Sequence, residues 1–369
     1  QNREQSWLEL KAGDRTTGAS RTVLRETGPA WVNCGNLGCQ DDESNPIWLR
    51  DGTFLWPSER NGWRHLYLYD DGGRLIRQVT SGRWEARVVH GVDEARGWIY
   101  LSGTERSPIG RDVYRVKPDG SAFMRVSARA GTHTADFSPR FSFYLDRWSD
   151  ARTPAQTRLH EADGREVRLV DENPVAALAE FRRPEPEFLQ VPARDGFVME
   201  ALMIKPPDFD PGRKYPVYQW VYGGPHSQRV LDAWTSEHMF HQLLAQQGII
   251  VWACDNRTAS GKGAESAWPV FRRFGESELR DIEDCLAWLK SQPYVDGERI
   301  GIHGWSYGGF LTTYELTHSA SFVMGIAGGT VSDWRDYDTI YTERFLQTPE
   351  NNPEGYRASS PRFFADRLA

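Results

Sequence analysis

The segment Gly304-Trp305-Ser306-Tyr307-Gly308-Gly309 sets a hydroxyl nucleophile between glycines. It follows the apolar run Arg299-Ile300-Gly301-Ile302-His303 and precedes a helix-like stretch from Phe310 to His318. A strand that reverses into a helix through so tight a turn leaves little room for side chains, which accounts for the glycine on each side of the serine. The serine oxygen then projects from the turn, near helix-terminal N–H groups that favour an anionic intermediate. Acyl transfer fits this pattern, with Ser306 as nucleophile and the Tyr307 amide as the first oxyanion donor. A second donor must come from elsewhere. Tyr222, in Val221-Tyr222-Gly223-Gly224-Pro225 at the end of an earlier apolar run, stands on the same sheet edge. Its phenol is one candidate, and an ordinary aromatic at a strand end is the other reading.

A serine hydroxyl also needs a histidine to accept its proton and a carboxylate to hold that histidine's tautomer. In hydrolases with this motif both follow the serine in the chain. His318 does follow it, but at the far end of the helix, and His226, His238 and His241 precede it. None of the four is assigned a catalytic role.

The surrounding elements come in two grammars. Up to about residue 185 the chain alternates short aromatic and β-branched runs with Asp-Gly or Gly-Gly turns, the pattern of antiparallel strands. Three stretches look alike: Leu66-Tyr67-Leu68-Tyr69 before Asp71-Gly72-Gly73, Val113-Tyr114-Arg115-Val116 before Asp119-Gly120, and Arg158-Leu159-His160 before Asp163-Gly164. Their spacing of roughly 45 residues suits a four-stranded propeller blade, with room for about three to four blades. A β-sandwich with similar hairpins is the competing reading. The proline-rich, charged stretch from Phe181 to Glu187 reads as a linker. Beyond it, Pro216–Val221, Gly248–Ala253 and Arg299–His303 read as buried parallel strands. In the segment from Glu278 to Lys290, Leu279, Ile282, Leu286 and Leu289 make one apolar helix face. The expectation is a partial all-β propeller over 1–186 and a partial α/β-hydrolase fold over 187–369.

The formal net charge of -7 on 369 residues makes nucleic acid an unexpected partner. No apolar run reaches the roughly 20 residues needed to cross a bilayer. The start at Gln1 shows neither an initiator Met nor a signal pattern, so the true N-terminus is expected upstream. Cys34 and Cys39 lack the histidines or second cysteine pair of a zinc site, and no metal or cofactor is expected. Cys254 after an apolar run and Cys285 within a helical pattern read as buried free thiols.

Together, Gly304-Trp305-Ser306-Tyr307-Gly308-Gly309, Val221-Tyr222-Gly223-Gly224-Pro225 and the run Trp334-Arg335-Asp336-Tyr337-Asp338-Thr339-Ile340-Tyr341-Thr342-Glu343-Arg344 resemble the dipeptidyl peptidase IV branch of the prolyl oligopeptidases. The resemblance covers nearly the whole chain, as later propeller blades followed by the first part of the hydrolase domain. It implies a serine peptidase in which the Tyr222 hydroxyl and Tyr307 amide hold the oxyanion. It also implies that Tyr307, Val331, Trp334, Tyr337 and Tyr341 line a pocket for proline or alanine before the cut. By residue type alone, Tyr337 and Tyr341 four apart could equally be one face of a core helix. A broader peptidase or esterase, and a non-catalytic propeller interaction protein, are the alternative functions.

The same resemblance places Ala369 just before the strand leading to the acid. Asp366 is then a surface carboxylate, and the acid, the histidine and the paired glutamates that hold the substrate's amino end are expected outside these residues. The isolated chain is accordingly expected to be inactive and poorly folded. Relatives imply peptide substrates, a homodimer for the full-length protein and a periplasmic or secreted location. The loop Asp255-Asn256-Arg257-Thr258 departs from the family's pattern, in which glycine follows the arginine; Arg257 reads as structural.

Overall fold

The computed structural model describes residues 1–33, 46–235 and 237–368. Cys34 and Cys39 lie outside the described residues. Two strands, β1 (Trp7–Gly13) and β2 (Ser20–Thr27), form a hairpin against the first of three four-stranded antiparallel sheets. These sheets are β3 (Ile47–Trp48), β4 (Phe54–Ser58), β5 (His65–Tyr69) and β6 (Leu75–Gln78); β7 (Ala86–Asp93), β8 (Trp98–Gly103), β9 (Asp112–Val116) and β10 (Met124–Arg125); and β11 (Thr132–Phe137), β12 (Phe143–Ser149), β13 (Gln156–Glu161) and β14 (Glu166–Asp171).

The three look-alike stretches are the third strands of these sheets, each followed by a turn whose glycine (Gly73, Gly120, Gly164) takes positive φ. They are propeller-type blades, and strand alternation explains why they stack. In β5, Leu66 and Leu68 face the second sheet's Ile99, Leu101, Tyr114 and Val116, while Tyr67 and Tyr69 face the β1–β2 hairpin. Each such buried side chain contributes roughly 1.5–3 kcal/mol, available only when neighbouring blades are in place.

Residues 181–186 carry neither helix nor strand. Then β15 (Glu187–Pro192), β16 (Val198–Ile204), β17 (Tyr215–Val221), β18 (Ile250–Cys254), β19 (Val295–Trp305) and β20 (Met324–Gly328) build one sheet in the order β15-β16-β18-β17-β19-β20. Its last four strands are parallel, and β15 and β16 add an antiparallel flank that the sequence reading did not assign. The helices are α1 (Glu237–Gln246), α2 (Ala264–Ala267), α3 (Glu276–Lys290), α4 (Tyr307–His318), α5 (Thr339–Leu346) and α6 (Pro353–Ala358).

Alternate residues of β17 serve opposite layers. Tyr215, Val217 and Val221 enter the core that also holds Ile282, Leu286, Phe310 and Leu311 of α3 and α4, whereas Tyr218 and Trp220 pack on the α1 side. Trp31, from the blade half, inserts into the first of these cores with its ring centroid 4.8 Å from Phe345. Among the described residues no helix is long and apolar enough to cross a membrane.

The thiol reading needs correction. Cys254 and Cys285 are joined as a disulfide that ties the end of β18 to α3. Each cysteine falls on its element's buried face, and the packing of helix on sheet brings them together across a separation of 31 residues.

Glu315 of α4 is fully buried, and neither carboxyl oxygen bonds any described residue. Burial, with Glu283 and Glu278 nearby, pushes its pKa well above the usual 4.5. A carboxyl that holds its proton more tightly folded than unfolded gives its full stability below the unfolded pKa, and loses it as pH climbs toward the folded value. Resistance to urea should therefore fall as pH rises above the ordinary carboxyl value of 4.5. Glu315→Leu should flatten that fall and add about 1–3 kcal/mol at the higher pH. Urea titrations of both forms check this, and an unchanged pH slope in the variant would contradict it.

Candidate active site

Strand β19 ends at Trp305, α4 begins at Tyr307, and Ser306 between them has φ 59° and ψ −117°. An L-residue adopts this conformation only when its surroundings impose it. Here they do. The Ser306 N–H donates to the Gly328 carbonyl of β20 at 2.9 Å, and its own carbonyl accepts the first helical bond from Phe310 at 2.9 Å. A Cβ on Gly304 would lie 2.3 Å from the Gly308 carbonyl oxygen, and one on Gly308 2.3 Å from that of Val221. The glycines are thus demanded by the close crossing of α4 over β17 and β19. Ser306 is half-buried beside exposed Trp305, and helical hydrogen bonding gives the Tyr307 N–H no partner four residues back.

Tyr222 directly follows β17, and its ring centroid lies 6.2 Å from that of Tyr307. The Arg229 guanidinium lies over the Tyr222 ring at 4.3 Å. The loop joining Tyr222 to Arg229 is held from the neighbouring 255–258 segment. Thr258 Oγ1 donates to the Gly223 carbonyl at 3.0 Å and Asn256 Nδ2 to the same oxygen at 3.4 Å. The Asp255 carboxylate accepts from the Arg229 and Val230 N–H groups at 2.9–3.0 Å, and burial pushes its pKa up to about 7. Thr258 thus gives this loop a side-chain hydrogen bond that a glycine at this position could not supply. Arg257 pairs with Asp281 and Asp195, each at 2.8 Å.

Tyr307 is buried, and its hydroxyl donates to Glu278 Oε1 of α3 at 2.6 Å. Its ring packs 5.6 Å from Trp334, which lies 5.8 Å from Tyr337 and 6.3 Å from Tyr341. Tyr337 and Tyr341 meet edge to face at 5.7 Å. The Asp338 carboxylate, one residue after Tyr337, caps α5 by accepting the Tyr341 N–H at 2.8 Å, which fixes the start of the helix that carries Tyr341. Val331 packs against the same core. Tyr222, Tyr307, Trp334, Tyr337 and Tyr341 therefore form one aromatic cluster beside Ser306, with Tyr337 41% exposed at its rim.

The other candidates lie apart from it. His318 stacks on Tyr314 at 4.0 Å and bonds that residue's carbonyl, with burial lowering its pKa. His241 packs on Trp220 on the α1 side, and Asp366 is exposed. Glu278 escaped the sequence reading because only tertiary packing brings α3 to the Tyr307 hydroxyl. So did the brace on α5, where Arg3 pairs with Glu343, and Gln5 bonds both the Ile340 carbonyl and Arg344.

Two family models match the chain: the dipeptidyl peptidase IV N-terminal region over residues 1–155 and the prolyl oligopeptidase family over residues 234–369. Dipeptidyl peptidase 4 of Trichophyton equinum is 33% identical over 351 residues, covering 87% of this chain and 45% of that protein. Dipeptidyl peptidase 4 of Trichophyton rubrum is 33% identical over 308 residues, 81% of this chain and 40% of that protein. The crystal structure of Porphyromonas gingivalis dipeptidyl peptidase 4 superposes with a TM-score of 0.92 at 33% identity, covering 100% of this chain and 51% of that one. A putative dipeptidyl aminopeptidase IV from Bacteroides ovatus gives 0.89 at 29% identity, covering 54% of its chain. The chain spans about half the length of the curated relatives it matches.

Proposed function

Because this chain belongs to the dipeptidyl peptidase IV branch of the prolyl oligopeptidase family, we propose that the full-length protein releases Xaa-Pro and Xaa-Ala dipeptides from peptide amino ends, with Ser306 as nucleophile. The observation that carries this reading is the positive-φ serine at a strand-to-helix turn, set beside a cluster of five aromatic side chains. Ser306 Oγ attacks the carbonyl carbon of the second residue of the peptide, and its proton passes to a histidine base. The Tyr222 hydroxyl and Tyr307 N–H take the oxyanion, and the amine leaves to give an acyl-enzyme that water hydrolyses. Tyr307, Val331, Trp334, Tyr337 and Tyr341 line the pocket. A proline ring, already rigid, fills so flat an aromatic space with little entropy to lose. On this reading residues 1–186 supply propeller blades and 187–369 the catalytic part. The Cys254–Cys285 disulfide favours an oxidising compartment, periplasmic or extracellular.

Paired substrates, one with a free amino end and one N-acetylated before the same Xaa-Pro bond, test the exopeptidase assignment. The full-length protein should cleave the free form at least about 100-fold faster, because the acetyl group removes the charge that amino-end recognition requires. Equal rates would point to a broader peptidase, and no cleavage of either to a non-catalytic protein.

A further inference from the structure

Resting on the pocket just described, the structure assigns one more residue: we propose that Glu278 is a positioning residue which, by holding the Tyr307 hydroxyl, fixes one wall of the pocket and sets the preference for proline over alanine. Tyr307 has two duties on this reading. Its N–H faces the oxyanion and its ring faces the substrate. The backbone is fixed by the turn at Ser306, but the ring has its own torsions, which packing against Phe274, Phe310 and Trp334 and the hydrogen bond of its hydroxyl together set. The bond to Glu278 Oε1 at 2.6 Å holds the far end of the ring.

Glu278 is itself immobilised. It stands in the first turn of α3, where Oε1 also accepts the Gly275 N–H at 3.2 Å and Oε2 accepts the Ser277 hydroxyl at 2.8 Å. Both Glu278 and Tyr307 are buried, at 0% and 2% exposure, so no solvent can replace either partner. A residue serving only to cap α3 needs the Gly275 bond alone. The additional reach to Tyr307, on a separate element, links the helix end to the pocket wall. Phe274, just before α3, meets both Tyr307 (5.3 Å) and Trp334 (4.6 Å), so the same helix end sets the spacing of the two rings. Proline touches such a wall with its whole ring face, whereas alanine presents one methyl group. Loosening the wall should therefore penalise proline selectively.

The test compares kcat and KM of the full-length enzyme on matched free-amino Xaa-Pro and Xaa-Ala substrates. Glu278→Leu is expected to lower kcat/KM for Xaa-Pro by about 30-fold, mainly through KM, and that for Xaa-Ala by less than about threefold. Glu278→Gln keeps an acceptor oxygen and should stay within about threefold of wild type on both. Tyr307→Phe removes the tether while leaving Glu278 its Gly275 and Ser277 partners, so it should reproduce the proline-selective loss even if the leucine variant folds poorly. The double variant Glu278→Leu/Tyr307→Phe should be no worse than Glu278→Leu, because both changes remove one interaction. Equal losses on the two substrates, or a glutamine variant as impaired as the leucine one, would overturn the role while leaving the peptidase reading intact. A wild-type enzyme that cleaves neither substrate would overturn the pocket assignment and this role with it.

Discussion

Replacing Ser306 with alanine in the full-length enzyme should lower kcat/KM on an Xaa-Pro substrate by on the order of 10⁵-fold and abolish labelling by a fluorophosphonate. The expectation follows from where the hydroxyl sits. Ser306 is half-buried at the turn, next to the N-terminus of α4, so the Tyr307 N–H proposed as an oxyanion donor is one residue from the nucleophile, and Tyr222, the second proposed donor, has its ring 6.2 Å from that of Tyr307. No neighbouring side chain can take over, since Trp305 and Tyr307 carry no comparable nucleophile. The backbone supplies an independent control. A φ of 59° with a ψ of −117° is glycine-like territory that costs a side-chain-bearing residue about 1–3 kcal/mol. Ser306→Gly should therefore be as inactive as alanine yet more resistant to heat by about 1 kcal/mol, whereas Ser306→Ala should be neutral in stability. An alanine variant that keeps even about one per cent of the rate would move the nucleophile elsewhere.

What sequence could reveal here depended on whether the cause was local. The turn at Ser306 was legible because Gly304 and Gly308 are required by backbone contacts within a few residues and with the adjoining strand, and such constraints are written as glycine. The blades were legible for a related reason. Leu66-Tyr67-Leu68-Tyr69 must bury both faces, so two alternating apolar sets appear in one short run. The antiparallel flank of β15 and β16 was not singled out, since runs such as Phe188-Leu189-Gln190-Val191 carry no period that tells edge pairing from a buried parallel strand.

Pairings across elements left no local trace at all. Cys254 and Cys285 each look like small buried residues, and only the docking of α3 on the sheet makes them partners. The Glu278–Tyr307 bond is hidden in the same way, because a glutamate three residues after a glycine already makes sense as a helix-start residue. The aromatic pocket fell between these cases. Tyr337 and Tyr341, spaced four apart, suited either a core face or a pocket, and the resemblance favoured the second. In the structure Tyr341 packs against the core while Tyr337 stands 41% exposed, and the pocket role of both is part of the proposal.

The second large effect is expected at Tyr222. If its hydroxyl donates to the oxyanion, Tyr222→Phe should lower kcat by about 10²- to 10³-fold and leave KM within about threefold, since the acceptor charge exists only in the transition state. The ring has what such a donor needs, a fixed direction. Arg229 covers it at 4.3 Å, and the chain between them is pinned through Gly223 by Thr258 and through Arg229 and Val230 by Asp255. Phenylalanine keeps the ring and its packing, so folding stability should change by less than about 1 kcal/mol and the loss can be read as catalytic. Steady-state kinetics on an Xaa-Pro substrate, paired with thermal unfolding, separates three outcomes. A fall in kcat alone assigns the donor role, and a rise in KM alone would make Tyr222 a substrate contact. No change in either would return it to an ordinary aromatic at the end of a strand. The pinning then becomes testable in its own right, because a donor that must be aimed should also feel the loss of the Thr258 hydroxyl. Thr258→Val would pass part of the same kcat loss to a residue that never touches the substrate.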